Sequence, residues 1–160
     1  MPDARVGLPD DEYQLAMIAR AIIEEGDYMT LATADEGGRP WASPVWYAPV
    51  GYAELLWLSR PAARHSRNLA VRHELAIVIF DSSAQIGTGQ GAYIEATAEQ
   101  VPESELERCM TLYSQRSQAR GGPALVMSEV CAPAPHRLYR ALASGHFLGI
   151  RDERVPVSLV

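Results

Sequence analysis

At 160 residues, with 48% hydrophobic and 21% charged side chains, the chain is long enough to bury a core of its own and too apolar to be largely disordered. A formal net charge of −6 sets its overall field against a nucleic-acid backbone, and no apolar run approaches the roughly 20 residues that cross a bilayer. All 14 basic residues are arginine, which excludes Schiff-base chemistry through a lysine amine and leaves arginine forks, backbone amides, hydroxyls and histidine to hold any anion.

The N-terminus, Met1-Pro2-Asp3-Ala4-Arg5, lacks the basic and apolar regions of a signal peptide, so a cytoplasmic address is expected. The whole of 1–160 reads as one domain, with residues 1–9 a loose arm. Pro9-Asp10-Asp11 then supplies helix-start chemistry. Leu15, Ile18, Ala19 and Ile22 recur at helical spacing, and Gly26 is placed to end that helix.

From Tyr28 the pattern changes to alternation. Strands are predicted over 28–34 and 39–47, joined by Asp35-Glu36-Gly37-Gly38, whose glycines allow the positive φ angles of a tight hairpin. Pro40 and Pro44 cannot donate to a ladder, so the second strand is expected at an edge or bulge, with free backbone groups that can face a ligand. Trp46 and Tyr47 are candidates to flank a planar ring, or plain core. Pro49-Val50-Gly51-Tyr52 reads as a turn. Residues 54–59 follow as a strand apolar enough to be covered on both faces.

The chemistry-bearing stretch comes next. Ser59-Arg60, Pro61-Ala62-Ala63 and Arg64-His65-Ser66-Arg67-Asn68 set three arginines, two hydroxyls and a histidine at a strand end and helix start, where unmet amides attract negative charge. The alternative is a solvated amphipathic helix with scattered surface arginines. Beyond it, strands are predicted over 75–81 and 91–99, the second preceded by Gly87-Thr88-Gly89-Gln90. These glycines are no dinucleotide fingerprint, because a strand rather than a helix follows.

A second long helix opens at Pro102-Glu103-Ser104-Glu105, with Leu106, Met110 and Tyr113 on one face, and Gly121-Gly122-Pro123 breaks it. A short helical piece at 125–127 and the segment Ala132-Pro133-Ala134-Pro135 lead to three further strands, 136–143, 146–151 and 155–159, with turns at Ser144-Gly145 and Asp152-Glu153. Cys109 and Cys131 have neither CxxC nor zinc spacing and read as reduced thiols. Seven or eight strands, many in hairpins, with three or four helices, indicate a closed or nearly closed antiparallel barrel.

The ordered series Met29-Thr30-Leu31-Ala32-Thr33, Gly38-Arg39-Pro40, Ser43-Pro44-Val45-Trp46-Tyr47, Leu56-Trp57-Leu58-Ser59, Arg64 to Leu69, Phe80-Asp81, Gly91 to Glu99 and Tyr139-Arg140-Ala141 resembles the pyridoxamine 5′-phosphate oxidase-like, FMN-binding split-barrel superfamily. The resemblance covers roughly residues 28–160. It implies a mainly β fold with α, an antiparallel split β-barrel with flanking helices, paired into a homodimer with flavin at the interface. It also implies that Ser43, Pro44, Val45, Trp46 and Tyr47 run beside the cofactor, that Ser59, Arg60, Arg64, His65 and Arg67 hold its phosphate with Asn68 nearby, and that Gln90 reaches the flavin.

Two departures are visible. The carboxy-terminal tryptophan and arginine pair of true pyridoxamine phosphate oxidases is not recognisable in 146–160, so vitamin B6 oxidation is not implied. Lysine at the phosphate site, common in relatives, is replaced by arginine. The expected activity is an FMN-dependent oxidoreduction of a small molecule, with no metal, the cofactor supplying the redox chemistry. Deazaflavin F420 on the same fold is the first alternative, and a non-enzymatic flavin or haem carrier the second. His65 and His146 are candidate proton donors, each also explained as a structural histidine.

Overall fold

The computed structural model describes residues 11–160; the arm expected at residues 1–9 lies outside them. The chain runs α1 (Glu12–Glu25), β1 (Tyr28–Ala34), β2 (Pro40–Trp46), β3 (Ala48–Val50), β4 (Glu54–Ser59), α2 (Arg64–Val71), β5 (Glu74–Phe80), β6 (Gln90–Gln100), α3 (Glu103–Ala119), α4 (Met127–Val130), β7 (Arg137–Ile150) and β8 (Glu153–Val157). The strands pair antiparallel in the order β2-β1-β5-β6-β7-β4-β3, with β8 added to β7. β2 and β3 stand at opposite ends of that order yet only Tyr47 separates them in the chain. The sheet must therefore curl until its two edges meet, which makes it a half-barrel closed by its own backbone.

Alternation decides what fills it. Met29, Leu31 and Thr33 of β1, Leu75, Ile77 and Ile79 of β5, and Ala92, Ile94, Ala96 and Ala98 of β6 are all buried, their neighbours at odd spacing more exposed. Small residues along β6 leave room for Tyr47, Trp57 and Tyr139 in the same core. α1 lies over this core through Ala16, Ala19 and Ile23; its start is capped by Asp11, which accepts a hydrogen bond from Tyr13 N at 3.0 Å. β4 is covered on both faces, as its apolar run predicts. Leu55 and Trp57 enter the main core, while Leu56 joins a second cluster with Cys109, Met110, Val130 and Leu138 under α3.

Several sequence expectations are corrected. Ser144-Gly145 is no turn: β7 is one 14-residue strand, and Ser144 is the extra residue of a bulge opposite Glu95 and Ala96. β7 bonds β4 through its first half, β8 through its second and β6 throughout. The bulge supplies the bend between those halves. The turn placed at 49–52 lies at 51–53, with Gly51 at φ 56°, because Pro49 and Val50 form β3 against β4. Pro61 precedes α2 rather than opening it, the short helical piece is at 127–130, and the last turn falls at 151–152. Gly26 follows α1 at φ −67°, not in the left-handed region. Its lack of a side chain matters for packing, because a Cβ there would stand 2.6 Å from Tyr47 Oη.

Candidate functional site

The ends of β2 and β4 and the start of α2 converge on a cleft of about 560 Å³. Pro44, Val45 and Trp46 come from the edge strand. Leu58, Ser59 and Arg60 come from the end of β4, and Ala62, Ala63 and His65 from the turn into α2. Tyr28, Tyr113 of α3 and His136 complete the lining. Among the described residues no carboxylate lines it, and its arginine is the exposed Arg60.

His65 ties these parts together. Its imidazole is buried in the first turn of α2, with Nδ1 3.1 Å from Ser43 Oγ on β2 and Nε2 2.5 Å from Ser59 Oγ on β4. Burial lowers its pKa below the usual imidazole value, so the neutral ring is favoured, donating to one hydroxyl and accepting from the other. Both ring nitrogens are engaged, so the imidazole ties the edge strand to the end of β4. At Ala63, the residue before α2, no side chain among the described residues caps the helix, whose first-turn amides lack intrahelical partners. Ser66 Oγ, in the same turn, is buried without a hydrogen-bond partner among the described residues.

Part of the lining is aromatic. Trp46 and Tyr113 meet edge to face, centroids 5.2 Å apart at 77°. Burial pushes the Tyr113 hydroxyl up to about 12, so it stays a neutral donor. His136, half-buried, presents an imidazole that makes no hydrogen bond among the described residues.

Of the twelve residues expected from sequence, Pro44, Val45, Trp46, Ser59, Arg60 and His65 line this cleft, and Ser43 reaches it through His65. The other five lie elsewhere. Tyr47 is fully buried, its hydroxyl donating to Ile23 O at 2.6 Å, so its ring belongs to the barrel core. Arg64 stacks on Trp41, 4.2 Å from the ring centroid, and Arg67 is exposed. Asn68 is buried and donates to Thr33 Oγ1 at 3.0 Å. Gln90 lines a neighbouring hollow of about 610 Å³, which shares Tyr28 with the cleft and carries Glu25, Asp27 and Asp81. His146 is likewise structural, its Nε2 2.7 Å from Tyr52 O. The residues that sequence reasoning did not place here are Tyr28, Leu58, Ala62, Ala63, Tyr113 and His136. Tyr113 shows in sequence only as part of a helix face, and His136 only as the first residue after a proline-rich connection.

Among the described residues no group of three or more His, Cys, Asp or Glu side chains is gathered to hold a metal, and no helix is long and apolar enough to cross a membrane.

Comparison with known proteins places this geometry. A family model described as pyridoxamine 5′-phosphate oxidase matches residues 18–139. No curated protein gives a significant match. Among solved structures, a heme binding protein from Mycobacterium smegmatis superposes with a TM-score of 0.71 at 20% identity over 95% of this chain, which spans only 60% of that protein. The heme storage protein HutZ from Vibrio cholerae gives 0.64 at 22% identity over 85% of this chain and 94% of its own. An FAD-binding protein from Mesorhizobium loti gives 0.58 at 16% identity, over 83% and 90%. These likenesses show the fold.

Proposed function

Because this chain belongs to the pyridoxamine 5′-phosphate oxidase family, we propose that the cleft binds FMN and that the protein is an FMN-dependent oxidoreductase acting on a small molecule. The supporting observation is the cleft's polarity. The uncapped start of α2 with Ser59 and Arg60 suits a phosphate, and among the described residues no carboxylate lines the cleft. The aromatic part of the lining, with Tyr28, Trp46 and Tyr113, suits a planar ring.

In this reading Arg60, Ser59 and the first amides of α2 hold the phosphate. Ser66, whose buried hydroxyl lacks a partner, stands in the same turn. His65 keeps Ser43 and Ser59 in place, and the neutral Tyr113 hydroxyl and the aromatic edges exclude water from the ring. Bound FMN supplies hydride or electron transfer. The exposed Tyr28 lines the cleft and the exposed Phe80 the neighbouring hollow, and a second copy of the chain covers them in a homodimer.

A haem-binding role is the second reading, favoured by the unengaged imidazole of His136 in the same cleft. Separate titrations of the purified protein with FMN, riboflavin, F420 and haemin decide among these. Saturable FMN binding with quenched flavin fluorescence, and much weaker riboflavin binding, is the expected result. Failure of FMN to bind rejects the proposal. A Soret shift with haemin that is lost in His136→Ala establishes the haem reading instead, and preferential binding of F420 would replace FMN with the deazaflavin.

A further inference from the structure

His136 and Leu58 line two hollows at once. Besides the cleft they border a second one, of about 430 Å³, walled by Leu125, Pro135, Ser128 and Glu129. A volume of this order accommodates a one- or two-ring molecule. Its walls are braced from both sides. Leu125 N donates to Ser114 Oγ of α3 at 2.8 Å, and the Arg137 guanidinium donates to the carbonyls of Ala134 and His136, both at 2.6 Å. Among the polar groups, Glu129 already accepts from Val126 N at 2.8 Å. The imidazole of His136 keeps its hydrogen-bonding capacity, and it stands where the two hollows adjoin.

We propose that this second hollow binds a small aromatic compound without an anionic group and bearing a hydroxyl or carbonyl oxygen, and that His136 is the positioning residue that binds that oxygen. Leucine and proline walls favour an apolar ring, and the charged side chain in the lining, Glu129, disfavours an organic anion. An imidazole nitrogen at the border is the group that orients an oxygen toward the cleft.

2-Naphthol, which is fluorescent, serves as the probe, compared with naphthalene on the full-length protein without cofactor. Wild type is expected to prefer 2-naphthol to naphthalene. His136→Phe should lose that preference by roughly fivefold, the share of one ordinary hydrogen bond, and His136→Gln should restore part of it. Leu125→Trp, which fills the second hollow, should weaken 2-naphthol at least tenfold while leaving FMN affinity unchanged, since Leu125 does not line the cleft. Unaltered 2-naphthol affinity in Leu125→Trp, or an unaltered preference in His136→Phe, overturns the proposal. Intact 2-naphthol binding in a protein that refuses FMN overturns the cofactor reading and supports the ligand class assigned to the hollow.

Discussion

Replacing Gly26 with alanine is expected to destabilise the protein, against the usual sign of that exchange. The residue sits at φ −67°, ψ 147°, open to any L-residue, where trading glycine for alanine ordinarily stabilises by about 0.4–1 kcal/mol through the unfolded chain. Here the new Cβ would stand 2.6 Å from Tyr47 Oη and 2.8 Å from Ile79 Cγ2, both on side chains with no space to retreat. Overpacking of this kind costs about 1–3 kcal/mol. Pushing the Tyr47 hydroxyl off Ile23 O breaks a 2.6 Å hydrogen bond in the core, worth about 1–3 kcal/mol more. The net loss is therefore about 1–5 kcal/mol after the entropic gain. Urea unfolding followed by tryptophan fluorescence measures it as a lower midpoint at unchanged slope. In a Tyr47→Phe background the same substitution should cost less than in wild type, because one of the two clashing atoms is gone. A Gly26→Ala protein as stable as wild type, or more so, would refute the steric argument.

Acidification is expected to destabilise the fold through His65. Its native pKa is lowered by burial, so the unfolded chain takes the proton more readily, and stability present above the ordinary imidazole value is lost as pH falls from 6.5 toward the lowered native value. Thermal melts of wild type and His65→Gln over that range should show a steeper slope for wild type, and equal slopes would count against a neutral buried imidazole. Arg60→Gln should weaken FMN by roughly tenfold and leave riboflavin unchanged; equal loss of both in fluorescence titrations would place the arginine away from the phosphate. Arg116, on α3, donates to the carbonyls of Glu24 and Gly26 at 2.7 and 2.9 Å, charge-assisted bonds at the end of α1. Arg116→Ala should cost about 1–3 kcal/mol, with faster hydrogen exchange confined to the last turn of α1, and protection unchanged there would show the contact to be dispensable.

The amino-acid sequence by itself determined the strands whose one-in-two burial carries the barrel. Met29 and Leu31, and Ala92 to Ala98, declare their inward faces through spacing alone, since a pleated strand turns alternate side chains to opposite sides. The unbroken apolar run 75–80 reads as a buried strand, and only the structure shows that Leu75, Ile77 and Ile79 turn inward while Phe80 is exposed. The arginine-serine-histidine turn, contiguous in the chain, is visible in sequence as one candidate anion-binding patch. Tertiary structure decided which of its members face the cleft. Arg64 lies on Trp41, Arg67 is exposed and Asn68 is spent on Thr33, because a helix turns successive residues about its axis and only some can share a wall. It also decided that Ser144-Gly145 is a bulge, since an 11-residue β6 offers pairing along its whole length. Finally it brought Tyr28, Tyr113 and His136 to one cleft from far apart in the chain. No local pattern encodes that meeting: it exists only once Tyr47 has carried the backbone from one edge of the sheet to the other and the curl has closed.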